Sequence, residues 1–214
     1  MKKMRFVSIS LTMGMLFVLA MALSGCIGGS STPSKFYLLR SIEESQTNSP
    51  ARADIKPVSV LIGPITLPAY LDRSQMVTLA AGHELVVEEF NRWGEPLKDS
   101  FYRVLIEDLS LLLGSAELYV YDRRGSVPTD FQVVIDVTRF DSVPGGESCL
   151  TVFWAVMGKD GGSTMIKQRK SVFRAPVSAT GFPGVVDAQN QTLTAFSREI
   201  ASAIRSLQPN ILVH

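Results

Sequence analysis

The chain has 214 residues, and its 21 Lys and Arg residues nearly balance its 20 Asp and Glu residues, which gives a net charge of +1. With 46% hydrophobic residues, this length is enough for one domain with a core that needs no disulfide bonds. Because the charge is close to neutral and the mature sequence has no block of Lys or Arg, nucleic acid is not expected as the main partner.

The N-terminus has the layout of a bacterial lipoprotein signal. A basic start at residues 1–5 precedes an apolar run at residues 6–23, and small residues follow it. Residues 23–26, Leu-Ser-Gly-Cys, form a lipobox, which predicts cleavage before Cys26 and lipidation of its side chain. We therefore predict a signal peptide over residues 1–25 and a membrane anchor at Cys26.

Two other interpretations of this segment remain open. The apolar run reaches the lower limit of about 18 residues for a transmembrane helix. However, Ser8, Ser10 and Thr12 dilute it, and no basic cluster follows it. In the other interpretation, the segment is an ordinary cleaved signal and Cys26 stands there by chance.

The segment after the predicted cleavage site differs in composition from the rest of the chain. Residues 26–34 begin with Cys26 and are rich in Gly, Ser and Thr. This composition predicts a flexible, lipidated tether. The following residues, 35–210, are predicted to form one periplasmic domain.

The first half of this domain contains predicted short strands separated by turns. Strands are predicted at residues 36–39, 58–62, 76–79, 84–90 and 117–122. Pro64 and Pro68 are expected to end the second strand, and residues 68–73 to form a turn. Residues 41–57 are predicted to be a loop, and the third and fourth strands to form a hairpin around residues 81–83.

Two amphipathic helices are predicted. The first follows a loop that contains Trp93, begins at Pro96 and ends at Gly114, which can adopt a left-handed C-terminal cap. Its polar residues form one narrow stripe, so most of its surface is expected to be buried. The second helix is predicted to run from Val185 to Leu207.

Three longer strands are predicted between the helices. Residues 131–137 alternate in polarity, residues 150–157 are apolar on both faces, and residues 165–174 have a basic centre. These patterns predict a central strand at 150–157 and an edge strand at 165–174. Cys149, beside the central strand, is expected to be a buried thiol. The chain is therefore predicted to be α/β, a single domain with a mixed β-sheet of about five or more strands and helices packed on it.

The sequence has no recognisable catalytic or metal-binding pattern. His83 and His214 are the only histidines, and His83-Glu84 lacks the second histidine of a zinc hydrolase because Val87 stands at that position. Neither a G-x-S-x-G nucleophile elbow nor a glycine-rich phosphate loop is present. We therefore expect a protein that is not an enzyme and has no catalytic residues, cofactor or metal.

Three aromatic residues stand out from their surroundings: Tyr70, Trp93 and Trp154. Trp154 lies in the predicted central strand and is expected to be in the core. For Trp93 two alternatives remain open. It either packs under the start of the first helix or is exposed as an anchor for a partner.

Three stretches of the sequence resemble one known family. They are residues 62–73 (IGPITLPAYLDR), residues 91–97 (NRWGEPL) and residues 137–141 (VTRFD). Together with the lipobox and with Phe-Tyr-Leu-Leu at residues 36–39, they resemble the ABC-type transport auxiliary lipoproteins related to PqiC. The similarity extends over most of the chain after Cys26.

This resemblance implies a location, a fold and a partner. It implies a domain with a mixed sheet between helices, held by its lipid at the periplasmic face of the outer membrane. Ile27 after the cysteine, rather than Asp, agrees with outer-membrane sorting. The implied partner is the periplasmic MCE-domain protein of an ABC-type system that moves lipids or other apolar compounds between the membranes. A ring-shaped homo-oligomer would suit such a conduit, although no residue of the sequence demonstrates one.

The two motif turns supply the candidate partner-binding residues, although structural turns would explain the same positions. These residues are Tyr70, Leu71, Asp72, Arg73, Arg92, Trp93 and Glu95. Two other functions remain open. One is a module that itself binds lipid in an apolar groove, and the other is an envelope scaffold that regulates a cell-wall synthase.

Overall fold

The computed structural model describes residues 32–42, 58–80, 84–114, 117–121, 128–158 and 165–207. These residues contain eight β-strands, two α-helices and one short 3-10 helix. In chain order, the elements are β1 (Lys35–Tyr37), β2 (Ser59–Thr66), the 3-10 helix (Ala69–Leu71), β3 (Gln75–Leu79), β4 (Leu85–Trp93), α1 (Leu97–Leu113), β5 (Glu117–Val120), β6 (Phe131–Ser142), β7 (Glu147–Gly158), β8 (Met165–Pro176) and α2 (Gly181–Leu207).

The strands form two sheets. The larger sheet has the order β5-β2-β6-β7-β8, and the smaller has the order β1-β4-β3. β2 pairs in parallel with both β5 and β6, whereas β6, β7 and β8 pair in antiparallel fashion. The predicted fold class, α/β with a mixed sheet and packed helices, is therefore confirmed. The division of the strands between two sheets is an additional feature that the sequence patterns did not predict.

Both helices pack on the same face of the five-stranded sheet. The ring of Phe196 in α2 lies 6.0 Å from that of Trp154 in β7 and 6.5 Å from that of Phe101 in α1. Trp154 is only 2% exposed, so its predicted core position is confirmed. A single buried cluster joins both helices to one face. The resemblance implied a sheet that lies between helices. This expectation is wrong for the described residues.

β2 does not end at Pro64, as predicted, but continues to Thr66. The register of its pairing with β6 shifts at this point. Gly63 has a φ of +113°, a conformation that residues other than glycine rarely adopt. A Cβ atom added to Gly63 would lie 2.5 Å from the hydroxyl oxygen of Tyr102. Glycine at this position therefore allows the strand to pass the proline.

Several other boundaries also differ from the predictions. β1 ends at Tyr37 rather than at residue 39, and β6 continues to Ser142 rather than ending at residue 137. β4 continues to Trp93, so residues 91–93 belong to a strand that pairs with β1 rather than to a loop. α2 begins at Gly181 rather than at residue 185, because Pro183 fits the first turn of a helix, where its missing N–H has no intrahelical acceptor. α1 agrees with its prediction within one residue, and Gly114 caps it at a φ of +71°.

The later strands have the predicted positions. β7 lies between β6 and β8, and β8 forms an edge of the sheet. Cys149 in β7 is a buried free thiol. The predicted signal peptide, Cys26, most of the tether, most of the predicted loop at residues 41–57 and the turn at 81–83 lie outside the described residues. None of the helices in the described part of the chain is long and apolar enough to span a membrane.

A buried carboxylate, which the sequence patterns did not predict, joins both helices to the segment after β1. Asp108 in α1 accepts a hydrogen bond from the hydroxyl group of Ser197 in α2 at 2.7 Å. Its other oxygen accepts one from the backbone N–H of Ile42, also at 2.7 Å. Burial raises the pKa of Asp108, and these two hydrogen bonds oppose the increase.

Candidate functional site

The two motif turns meet at one open cleft of about 670 Å³. Residues between 65 and 74 form one side of the cleft, and residues 93–98 form the other. Leu71, Trp93 and Leu97 line it with apolar side chains and are all buried. The cleft therefore has an apolar floor that belongs to the protein core.

The rim of the cleft is charged. Asp72, Arg73 and Lys98 all line the cleft and are exposed. Within the described residues, the side chains of Asp72 and Arg73 have neither a hydrogen-bond nor an ion-pair partner. These two side chains are therefore available to a binding partner.

The short 3-10 helix sets the direction of these side chains. The backbone N–H of Leu71 donates to the carbonyl of Pro68 at 2.9 Å, and that of Asp72 donates to Ala69 at 3.2 Å. Leu71 enters the core at 3% exposure. The chain then leaves the core, so the next two residues, Asp72 and Arg73, face solvent at the rim.

Trp93 packs in the core and is not an exposed anchor, which resolves the two alternatives for this residue. Its side chain is 6% exposed, and its backbone N–H donates to the carbonyl of Ser74 at 2.7 Å. The backbone N–H of Gly94 donates to Tyr37 at 2.8 Å. A Cβ atom at Gly94 would lie 3.2 Å from a methyl group of Leu38. This turn is therefore fixed between β3 and the end of β1.

Glu95 is held at the cleft by an ion pair with α1. Its Oε1 lies 2.8 Å from Nη2 of Arg103, and the same Arg103 nitrogen donates to the carbonyl of Leu39 at 3.0 Å. The hydrogen bond from the guanidinium group holds the pKa of Glu95 below its usual value. Glu95 and Lys98 also line a second, smaller cleft of about 420 Å³ along α1.

Tyr70 faces away from the cleft and connects to the third motif stretch. Its hydroxyl group donates to Oδ2 of Asp141 at 3.3 Å, and Asp141 also accepts hydrogen bonds from Nε of Arg139 at 2.9 and 3.0 Å. Burial, reinforced by the negative charge of Asp141, raises the pKa of Tyr70 to about 12. Tyr70 therefore remains a protonated donor that fixes the turn before the cleft.

The structure thus brings together five of the seven predicted partner-binding residues. Those that line the cleft are Leu71, Asp72, Arg73, Trp93 and Glu95. Tyr70 supports the turn from behind. Arg92 does not line the cleft, and its Nη2 atom lies 2.7 Å from Oε1 of Glu89 on its own strand.

Sequence reasoning missed several residues of this region. Leu67 and Lys98 line the cleft, and their nearness to the two motifs was the available signal. Arg103 of α1 holds Glu95 through their ion pair. Nothing in the sequence spacing indicated that pair.

The described residues contain no cluster of three or more His, Cys, Asp or Glu side chains that could hold a metal ion. His83 and His214 lie outside this part of the chain. The described cleft itself combines an apolar floor with a charged rim.

Comparison with solved structures shows the same fold in other proteins. A crystal structure of an uncharacterised protein has a TM-score of 0.65 at 17% identity, covering 81% of this chain and 99% of that chain. Protein XCC0632 from Xanthomonas campestris has a TM-score of 0.64 at 16% identity, covering 80% of this chain and 94% of its own. At these identities the likeness extends to the fold alone.

Sequence comparison gives the family. None of the curated proteins compared with this chain matches it. The family model of the ABC-type transport auxiliary lipoprotein component matches residues 37–201, which include both walls of the cleft. The chain therefore belongs to the ABC-type transport auxiliary lipoprotein components, which are not a family of enzymes.

Proposed function

We propose that this protein is a lipoprotein of the outer membrane, facing the periplasm, that docks a periplasmic MCE-domain protein of its transport system. Membership of the auxiliary lipoprotein family supports the role in transport. The lipobox supports a signal peptide at residues 1–25 and an anchor at Cys26, and Ile27 supports outer-membrane sorting. In this proposal, residues 26–34 are the tether and residues 35–210 the docking domain.

The observation that carries the docking role is that only some of the motif residues are buried or paired within the domain. Leu71 and Trp93 are buried, and Glu95 is paired with Arg103, so the fold explains these residues. Asp72 and Arg73 are exposed at the same cleft without partners in the described part of the chain. Because the fold does not use these two exposed charges, we assign them the role of binding the partner protein.

The chemistry of the cleft suits a protein partner. Stable interfaces combine an apolar centre with a polar rim, and most of their binding energy comes from a few central contacts. Leu71, Trp93 and Leu97 form the apolar floor of the cleft, and Asp72 and Arg73 supply part of its rim. Opposite charges next to each other also fix the orientation of a partner more than they increase its affinity.

The lipid anchor performs the other half of the function. One acyl chain binds a membrane only marginally, whereas two or more give stable attachment. The anchor therefore keeps the docking domain at the membrane, and the number of tether residues limits its reach. Cys26→Ala should move the protein out of the membrane fraction and abolish function without changing the fold.

Photo-crosslinking in intact cells tests the docking role. A photoreactive amino acid replaces Arg73 at the rim, and a matched control replaces Asp187, an exposed residue of α2. We expect a crosslink to an MCE-domain protein from position 73 and none from position 187. Crosslinks from position 73 only to other copies of the chain, or to a cell-wall synthase, would contradict the proposal.

A second candidate function, binding of a lipid in the cleft, is favoured by its volume. At about 670 Å³ the cleft exceeds the lower limit of small-molecule sites, which is roughly 300 Å³. Native mass spectrometry of the protein purified from membranes tests this candidate. Co-purified lipid that is lost on Leu67→Asp, at a partly buried position of the cleft, and retained on Asp187→Lys, would support lipid binding over protein docking.

A further inference from the structure

Exposed apolar side chains are concentrated on and beside the three-stranded sheet. Among the described residues, eight large hydrophobic side chains are exposed, and five of them lie on β4, on β1 or directly after β1. These five, which we call the small-sheet patch, are Phe36, Leu38, Leu85, Val87 and Phe90. Phe36 is the most exposed of all eight, at 67%. Grouped apolar exposure of this kind marks an interaction surface, whereas single exposed residues do not.

The patch is densest where the chain enters the domain. Phe36 pairs with Arg92 in the parallel register of β1 and β4, and Phe90 precedes Arg92 by two residues. Leu38 follows β1 and lies beside Gly94, at the end of β4. Strand pairing therefore brings Phe90 close to Phe36 and Leu38, where the chain enters the domain.

The distance along the chain to the predicted anchor restricts what this end of the domain can face. Ten residues lead from Cys26 to Phe36, and a fully extended chain of ten residues spans at most about 34 Å. A domain of this length is roughly 40 Å across. With Cys26 anchored as proposed, Phe36 therefore stays within about 34 Å of the membrane, which is less than the width of the domain.

We propose that the small-sheet patch is a membrane-contact surface, and that its occupant is the phospholipid leaflet in which the lipid on Cys26 is inserted. Phe36 and Phe90 sit among the headgroups and the upper acyl chains, as apolar side chains of peripheral proteins do. This inference rests on the proposed lipid anchor. It adds to that anchor a second contact, which stops the domain from rotating freely.

The charges around the patch determine the character of this contact. Lys35 and Arg40 are exposed near Phe36, but Glu84 and Glu89 are exposed on or next to β4. Because the two signs balance, attraction to anionic lipid contributes little, and the contact depends on apolar insertion. It should therefore persist at high salt concentration.

The contact also has a consequence for the candidate functional site. β4 carries three residues of the patch and ends at Trp93, which lines the cleft. A membrane that holds β4 therefore fixes the orientation of the cleft as well. A docking site with a fixed orientation loses less rotational freedom when its partner binds.

Fluorescence quenching by lipid tests the inference on the full lipidated protein. Phe90→Cys carries an environment-sensitive NBD dye, and Gln168→Cys on the edge strand β8 is the matched control. Cys149 is buried and does not compete for the label. The protein is reconstituted into vesicles of phosphatidylethanolamine and phosphatidylglycerol with a spin-labelled lipid, and flotation of the vesicles reports attachment.

We expect the dye at position 90 to shift to shorter wavelength and to be quenched at a depth of about 5–10 Å. The dye at position 168 should remain solvent-exposed, and high salt should change neither result. Phe36→Cys repeats the measurement in case Phe90→Cys fails to fold.

Three results would overturn the inference. If the vesicles carry the protein but both dyes are quenched equally little, the patch does not contact lipid and the anchor stands. If the protein does not float with the vesicles, the anchor fails and the inference fails with it. If the dye at position 90 shifts to shorter wavelength without lipid quenching, protein covers the patch, as a second copy of the chain would.

Discussion

The hydroxyl group of Tyr70 donates a hydrogen bond to Oδ2 of Asp141 across 3.3 Å. Tyr70 belongs to the turn that precedes the cleft, and Asp141 lies near the end of β6. Both residues come from the stretches that resemble the family, yet neither lines the cleft. Part of the family signature therefore supports the site from behind, and only part of it is offered to a partner.

The Tyr70–Asp141 pair predicts a change in stability at alkaline pH. The pKa of Tyr70 is raised from its usual 10.0 to about 12, so the folded protein retains a proton that the unfolded chain loses in this range. The corresponding stability is fully present below pH 10 and is lost as the pH rises towards 12. In Tyr70→Phe this part of the loss should disappear. Urea unfolding of both proteins at several pH values between 9 and about 12 measures it.

The same measurement contains its own control. Because other groups titrate in both proteins, only the difference between wild type and Tyr70→Phe reports on Tyr70. Parallel stability curves for the two proteins above pH 10 would contradict the role of burial and of Asp141.

The Glu95–Arg103 ion pair predicts a loss of stability that depends on acid. We expect Arg103→Ala to lower the free energy of unfolding by about 1 kcal/mol, because the pair is partly exposed and the bond to Leu39 is also lost. The folded-state pKa of Glu95 is depressed. Its contribution is therefore present at neutral pH and is lost as the pH falls through that lowered pKa. Urea unfolding at pH 7 and at acid pH should show the variant and the wild type converging in acid.

Arg174→Ala is the matched control for this pair. Arg174 contacts Glu147 at 3.0 Å, but both side chains are more than half exposed. We therefore expect almost no change in stability for this variant at either pH. An equal loss in both arginine variants would mean that the position of Arg103 at the cleft has no special structural importance.

The buried carboxylate of Asp108 predicts a larger effect. Asp108→Ala leaves the backbone N–H of Ile42 without its acceptor and removes one acceptor of the Ser197 hydroxyl group. We expect the free energy of unfolding to fall by about 2–3 kcal/mol, since an unsatisfied buried donor costs this much. Ser110→Ala, at an exposed position of the same helix, should change it by less than about 0.5 kcal/mol. Denaturant unfolding of the two variants compares them.

The sequence predicted the individual strands and helices better than the contacts between elements that are far apart in the chain. The alternation in β6 and the apolar faces of β7 indicated strands directly, because burial on one or both faces leaves a period-two pattern. The pairing of Tyr37 with Trp93 joins residues that are far apart in the chain. No local pattern encodes such a pairing, so the second sheet could not be predicted. Gly63 shows the same limit, since its role depends on Tyr102 in α1.

The candidate site was predicted as two turns but not as one cleft. Resemblance identified residues 70–73 and 92–95, and the structure brings most of them together. The sequence could not show which of these residues are buried in the fold and which are exposed to a partner. Trp93 and Asp72 look equally prominent in the sequence, yet only the three-dimensional packing shows that one is buried and the other exposed.

The exposed charges of the cleft carry the prediction that bears most directly on function. Exchanging them, Asp72→Lys with Arg73→Glu, should reduce crosslinking to the MCE-domain partner about tenfold or more, which corresponds to about 1.4 kcal/mol of binding free energy. In this experiment the photoreactive amino acid replaces Lys98, which is exposed on the same rim. Stability should change by less than about 0.5 kcal/mol, because neither side chain has a partner in the described part of the chain. Asp187→Lys controls for added charge on the exposed side of α2. Unchanged crosslinking by the exchanged pair, with the protein still in the membrane fraction, would remove the cleft from the docking role and leave the anchor unaffected.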